Sequence, residues 1–307
     1  MKVNLAVKNI FLAMRPKQFT KNFLVFSAPL FSFNLEGEIW INAFFSFISF
    51  CLISGSIYLI NDSIDYKTDR LHPIKKYRMI ASGKISIHLA LFVAFMIIFA
   101  VLVLSYFFNI KITSILIIYV LTQLLYSFIF KRIPIVELFF VSSGFILRTI
   151  CGGVAAGINL SPWFLISVGL LAFFLIVEKR KGEMLLNKAK LIKTRNVLSS
   201  YSLSLLDKYE TLLATGSFLT YALWASGPVL NGASSSWMLI TVPVVLIGIF
   251  RYQLLSDSFR ISISNGLTLE RSTELPEQIF LKDNFLKIII LLWTVQILLI
   301  GFFTVLN

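Results

Sequence analysis

Cysteine and histidine are nearly missing from this chain, with two of each among 307 residues. Cys51 and Cys151 both lie inside apolar runs, so neither a disulfide framework nor a zinc site is suggested. Charge is scarce too. Only 14% of residues are charged, against about 25% in an ordinary soluble domain. With 57% hydrophobic residues and a mean hydropathy of +0.85, that argues against a soluble globular protein. Acids are the scarcer sign, 15 against 28 Lys and Arg, leaving a net charge of +13. In a soluble protein such a surplus would hint at nucleic acid. Here the thirty phenylalanines and five tryptophans form no stacking pattern and suit a lipid-facing surface, and the loops carry no nucleic-acid-binding signature. Apolar segments fill most of the chain, which excludes low complexity and disorder.

What is present is a series of apolar stretches, and a bilayer core about 30 Å thick needs about 20 such residues in a helix. No charge falls between Glu38 and Asp62, between Lys84 and Lys111, or between Lys111 and Lys131. The stretch Asn22–Leu35 is too short to span unless it recruits the residues around Phe19. Arg132 to Glu178 holds two helices separated at 157–162, Thr211 to Phe250 holds two more separated at 231–236, and Phe285 to Leu306 is the last. The sum is about nine transmembrane helices in an all-α, polytopic membrane protein with a single domain over residues 1–307. Arg15, Lys17 and Lys21 interrupt any signal-peptide core, so the N-terminal segment reads as uncleaved.

The cations sort by position. They gather in the N-terminal segment, in the loop Asn61–Ile87, at Lys131 and Arg132, in the loop Glu178–Asp207 and in the loop Asp257–Asp283; the opposite turns hold one, Lys111. The positive-inside rule then puts the N-terminus and these loops in the cytoplasm and the C-terminus outside, in agreement with an odd span count. The two largest polar loops, Asn61–Ile87 and Glu178–Asp207, are separated by four spans, which weakly suggests a duplicated helical unit.

The sharpest pattern is Asn61-Asp62-x-x-Asp65-x-x-x-Asp69 at the end of the second span. On a helix Asn61, Asp65 and Asp69 share one stripe, with Asp62 beside Asp65. Like charges so placed repel unless a cation sits among them, and oxygen ligands without His or Cys suit Mg²⁺ shared with substrate phosphates. A solvated helix end is the bland reading, and the membrane boundary weighs against it. Arg70, Lys75 and Arg78 follow at once, cations of the kind a diphosphate needs beside a metal; topology-setting charge is their alternative reading. His72 reads as a capping group and His88 as structural. Arg148 stands in the body of the fifth span, where an ionisable group is costly and faces a cavity or partner. Glu137 is a poor partner for it, since eleven residues of helix set them about 16 Å apart. Arg15-Pro16-Lys17 and Lys21-Asn22 in the N-terminal segment could reach a phosphate or simply anchor to anionic headgroups, and Glu178-Lys179-Arg180-Lys181-Gly182-Glu183, which opens the second large loop, offers two acids among three cations.

At these residues the chain resembles the UbiA superfamily of intramembrane prenyltransferases, whose first aspartate-rich motif matches 61–69. It is most similar to the branch of decaprenyl-phosphate phosphoribosyltransferases. The likeness runs from Arg15-Pro16-Lys17-Gln18-Phe19 and Lys21-Asn22, through Asp69-Arg70-x-His72-Pro73-x-Lys75-x-x-Arg78 and Ala81-Ser82-Gly83. It continues in Tyr126-Ser127 with Lys131, Leu147-Arg148, Gly152-Gly153, Lys179-Arg180-x-x-Glu183, and Pro276-Glu277 to Asp283. Ordinary members carry a second Asp-x-x-x-Asp where Lys179-Arg180-x-x-Glu183 stands; Glu137 replaces an Asp and Met79 a Pro.

The resemblance implies a UbiA-like helical bundle with its polar site on the cytoplasmic face of a bacterial plasma membrane. It implies Mg²⁺-dependent transfer of 5-phosphoribosyl from phosphoribosyl diphosphate to a polyprenyl phosphate, with diphosphate released. Asn61, Asp65 and Asp69 are then expected on the metal, with Asp62 as ligand or support. Lys17, Lys21, Lys131, Arg148, Lys179, Arg180 and Glu183 are expected around the phosphates with Arg70, Lys75 and Arg78, and Tyr126 along the wall. A homo-oligomer is compatible with the sequence and not read from it. Two rivals stay open: a prenyltransferase using a prenyl diphosphate and an aromatic or other acceptor, against which the missing second motif speaks, and a transporter, which would carry acids deep along a path.

Overall fold

The computed structural model describes residues 2–72, 75–188, 196–264 and 283–306; Pro73, Pro276-Glu277 and most of the loop Asp257–Asp283 lie outside them. Among the described residues the chain is helical and carries no strand. The helices are α1 (Lys2–Ala13), α2 (Ser27–Ser32), α3 (Gly37–Ile64), α4 (Tyr66–Arg70), α5 (Ile87–Phe108) and α6 (Ile110–Phe128), then α7 (Val136–Ala156), α8 (Pro162–Lys188), α9 (Leu203–Ala225), α10 (Val242–Ser264) and α11 (Asn284–Leu306).

Among the described residues seven helical stretches are long and apolar enough to cross a membrane: Gly37–Ile64, Ile87–Phe108, Ile110–Phe128, Val136–Ala156, Pro162–Leu185, Ser236–Asp257 and Asn284–Val305. Two further spans were expected, the first and the seventh, and neither stretch is among these seven. Around Asn22 the chain forms a 3₁₀ helix over Pro16–Phe26 followed by α2. The tighter winding rises about 2 Å per residue instead of 1.5 Å, which gives the pair a contour of about 31 Å. The seventh is α9, whose first turns carry Asp207, Lys208 and Glu210.

Composition explains how the helices pack. α3 turns Ser46, Ser49, Ser54, Gly55 and Ser56 inward, and small side chains let helices approach closely where lipid supplies no hydrophobic drive. Their hydroxyls stay satisfied by bonding back one turn, as Ser46 does to the Asn42 carbonyl and Ser56 to that of Leu52, both at 2.9 Å. One core cluster joins Phe50, Ile53, Ile112, Leu116, Tyr119 and Cys151 from α3, α6 and α7. Another joins Phe164, Tyr221, Trp224, Met238 and Ile297 from α8 to α11. Outward-facing Phe92, Phe95 and Phe99 on α5 stay exposed, as a lipid-facing surface requires.

The 3₁₀ segment lies directly on α7. A Cβ on Gly152 would stand 2.0 Å from the Val25 carbonyl oxygen, so only glycine fits there. Gly152→Ala should lower stability in detergent by about 1–3 kcal/mol or more, the cost of overpacking a filled site, whereas Gly37→Ala, with open space around it, should leave it unchanged. Thermal unfolding followed by tryptophan fluorescence checks both.

Candidate functional site

α3 stops at Ile64, and Asp65 takes a bridge conformation before α4 begins. The four-residue register survives the break, because the Asp65 amide donates to the Asn61 carbonyl and the Asp69 amide to that of Asp65, both at 2.9 Å. The expected stripe is therefore kept in the backbone but divided by burial. Asp62 and Asp69 are 4% and 5% exposed, while the Asp65 side chain is 40% exposed at the rim.

Each acid meets a cation from a different stretch of chain. Arg78 Nη1 lies 2.6 Å from Asp69 Oδ2 and 3.1 Å from Asp62 Oδ1, so two buried carboxylates face one another across a single nitrogen. Arg15 Nη2 donates to the same Asp62 Oδ1 and its guanidinium lies over the Tyr58 ring, 4.7 Å from the centroid. Lys131 Nζ stands 2.6 Å from Asp65 Oδ1. Burial pushes the Asp69 carboxyl above its ordinary range, with Arg78 opposing and the Asp62 charge adding to the rise. Among the described residues no three Asp, Glu, His or Cys side chains form a group able to hold a metal by themselves. The oxygen donors Asn61, Asp62, Asp65 and Asp69 fit Mg²⁺ in kind, and Arg78 marks where two of their carboxylates already converge on one positive centre.

The loop after α4 folds back over this cluster. Arg70 Nε donates to the Ala81 carbonyl at 2.9 Å and its guanidinium lies over Tyr66. His72 Nδ1 accepts from the Lys75 amide at 3.2 Å. Burial, helped by Lys75 and Arg78, pushes the His72 imidazole down to about 4, with the Glu183 charge opposing. Glu183, near the end of α8, is thus one of the charges that act on His72.

The loop expected from Glu178 is helical as far as Lys188, the end of α8, and within it Arg180 is consumed by the protein. Its Nε and Nη2 grip Glu137 at 2.8 and 2.6 Å and its Nη1 reaches Glu183 at 2.8 Å; Arg180 is 2% exposed and Glu137 fully buried. Between Lys131 and Glu137 the chain reverses in a strained turn: Ile135 has φ +66°, ψ −50°, and the Val136 amide donates to the Pro134 carbonyl at 2.7 Å. The Ile135 amide donates to the Tyr201 hydroxyl at 2.6 Å, which holds the turn in place. Arg148 is likewise engaged inside the chain. It donates to Asn22 Oδ1 at 2.7 Å, to the Gly144 carbonyl at 2.6 Å and to the Tyr119 hydroxyl at 2.9 Å. Asn22 in turn donates to Cys51 Sγ at 3.1 Å, so Arg148 fastens the 3₁₀ segment to α3 and α7.

The structure thus gathers Asp62, Asp65, Asp69, Arg78 and Lys131, and holds Arg148 apart. Lys17 is exposed in the 3₁₀ segment, and Lys21, Tyr126 and Lys179 are half-buried. Sequence reasoning named Arg15 only as able to reach a phosphate or anchor to headgroups and Lys181 only as one of three cations in its run; it foresaw neither the pairing of Arg15 with Asp62 nor that of Lys181 with three acids. Lys181 lies 3.2 Å from Glu178 and 2.7 Å from Asp207 and also meets Glu210, tying α8 to α9. The one signal for Arg15 was its place before Pro16 in the N-terminal motif; Lys181 had none beyond the run of charge around it.

The sequence matches the UbiA prenyltransferase family over residues 23–261. It is 35% identical over 299 residues to the decaprenyl-phosphate phosphoribosyltransferase of Mycolicibacterium smegmatis, spanning 94% of this chain and 90% of that protein. To the enzyme of that name from Corynebacterium glutamicum it is 34% identical over 289 residues, 92% of this chain and 83% of the relative. In fold it superposes on a UbiA homolog from Archaeoglobus fulgidus, solved bound to GPP and Mg²⁺, with a TM-score of 0.68 at 17% identity, covering 95% and 99% of the two chains.

Two expected outcomes follow from the ion pairs and the histidine. Glu137→Gln leaves Arg180 short of its buried counter-charge and should cost about 3–5 kcal/mol, measurable as a lower midpoint of thermal unfolding. For His72 the folded pKa lies below the unfolded value of about 6.5. Between pH 6.5 and 4 the unfolded chain therefore binds a proton that the folded chain does not, and stability falls as pH falls through that window. His72→Gln should flatten that part of the melting-temperature profile and leave pH 7 to 8 unchanged.

Proposed function

This chain belongs to the UbiA prenyltransferase family, and from that premise we propose that it is an integral-membrane transferase moving 5-phosphoribosyl from phosphoribosyl diphosphate to a polyprenyl phosphate. The observation that carries the reading is the acid cluster Asp62, Asp65 and Asp69 met by Arg15, Arg78 and Lys131, with identity above 30% to two transferases of that type along nearly the whole chain. The GPP- and Mg²⁺-bound homolog supports a diphosphate and a metal at this kind of site.

Nine membrane crossings, counting the 3₁₀ segment with α2 and α9, put the loops 61–87, 129–135 and 178–207 on one side. The positive-inside rule makes that side cytoplasmic and the C-terminus external, in a bacterial plasma membrane. Asn61, Asp65 and Asp69, with Asp62, would hold Mg²⁺, which when bound would supply positive charge to a diphosphate leaving group. Arg78, Lys75 and Lys131 lie beside the acids, so they donate to phosphate oxygens once the donor enters. Lys17, Lys21 and Lys179 lie on the segments around the cluster and take the acceptor's phosphate or the 5-phosphate, and Tyr126 lines the wall. Arg70, Arg180 with Glu183, and Arg148 brace the walls through bonds already made within the chain.

As the bond to diphosphate lengthens, the anomeric carbon gains oxocarbenium character, and the cations stabilise the charge growing on the leaving oxygen. The acceptor's phosphate oxygen is anionic at neutral pH, so attack requires no general base. His72, held neutral, is not recruited as one. Attack opposite the leaving group inverts the anomeric centre, and the polyprenyl tail lies among the Phe and Leu side chains between helices.

The test offers the purified protein two donors in parallel with polyprenyl phosphate and identifies the lipid product by mass. Phosphoribosyl diphosphate should give the phosphoribosyl lipid. Product from prenyl diphosphate and an aromatic acceptor instead would move the chain to the ordinary prenyltransferases. Asp65→Asn, at an exposed rim position, should fold normally and lose about 100-fold or more in turnover; full activity would remove Asp65 from the metal.

A further inference from the structure

The three acids expected to hold a metal are already neutralised. Asp62 and Asp69, both buried, share Arg78; Arg15 donates to the same Asp62 oxygen that Arg78 touches; Lys131 covers Asp65. Three carboxylates meet three cations, with Lys75 close enough to act on Asp69 as a fourth. Arg78 Nη1 bridges two carboxylate oxygens at 2.6 and 3.1 Å, the arrangement a hard cation would otherwise occupy. Taking the proposed site as its premise, we propose that Arg15 and Arg78 stand in for the metal while no donor is bound, so that metal enters only in company with a diphosphate.

The argument is one of charge in a half-buried place. A divalent cation arriving alone must push a guanidinium off a buried carboxylate and leave the cluster with two uncompensated positive charges, in surroundings where charge is poorly screened. A divalent cation arriving on a diphosphate brings its own compensating charge. The displaced guanidiniums, which sit next to the acids, turn from carboxylate to phosphate oxygens, for which their planar fork is equally suited. Arg78 and Arg15 thereby change partners without leaving the site.

Arg15 carries a second observation. Its backbone is left-handed, φ 56° and ψ 65°, a conformation that few residues other than glycine adopt, immediately before Pro16. The Asp62 pair and the Tyr58 ring hold it there. The Asp62 contact is thus one of the two contacts that hold this conformation.

Equilibrium dialysis of the full-length protein in detergent against Mn²⁺ tests this, with protein-bound Mn²⁺ counted alone and with phosphoribosyl diphosphate present. The wild type should retain little Mn²⁺ alone and close to one equivalent or more with the donor, at least tenfold tighter. Arg78→Gln, checked for folding by thermal unfolding, should bind Mn²⁺ without donor at least tenfold more tightly than the wild type does. Equal Mn²⁺ affinity with and without donor in the wild type overturns the stand-in role and leaves the site assignment intact. No retention in either condition overturns the site assignment itself. Unchanged donor-free affinity in folded Arg78→Gln overturns the role of Arg78, and the wild-type comparison remains decisive should that variant fail to fold.

Discussion

A carboxylate at the margin of a hydrocarbon layer is stable only beside a positive charge, and that constraint organises this molecule. Asp62 and Asp69 are buried, and each is answered by an arginine from another part of the chain. Glu137 is answered by Arg180 across two hydrogen bonds, and the carboxylates of α8 and α9 by Lys181. The polar end of the bundle is consequently a lattice of ion pairs that fixes where four segments meet: the N-terminal residues before the 3₁₀ helix, the loop after α4, the turn before α7, and the end of α8.

On the proposed function, that lattice would let a site for a highly charged donor sit at a membrane surface. The cations that a diphosphate would need are paired with acids, and the acids that a metal would need are paired with those cations. Neither set stands bare in a poorly screened place. Arg180 and Arg148 spend their hydrogen bonds inside the protein, which sets them apart from the cations proposed to exchange partners.

Much of this was legible in the chain before its fold was. The apolar stretches predicted an α-helical membrane bundle, and Asn61, Asp62, Asp65 and Asp69 were readable as a cluster because their spacing is local and helical. The pairs that complete the cluster were not. Arg15 meets Asp62 across 47 positions, Lys131 meets Asp65 across 66, and Arg180 meets Glu137 across 43; no periodicity encodes contacts at that range. Arg148 was conspicuous as a charge within a span, but its partners Asn22 and Tyr119 carry no charge and so gave no hint. The stretch around Asn22 was hard to read for a different reason: a 3₁₀ segment covers more distance with fewer residues than the helix assumed in counting spans.

The long sequence separation of those pairs bears on how the protein is made. When α3 is made, Arg15 is already in the chain to meet Asp62, whereas Arg78, the partner of Asp69, and Lys131, the partner of Asp65, come later in the sequence. Asp69 gains its counter-charge only once the loop after α4 has folded back over it. A chain stopped before Arg78 would leave Asp69 at the membrane boundary with its charge unanswered by that loop.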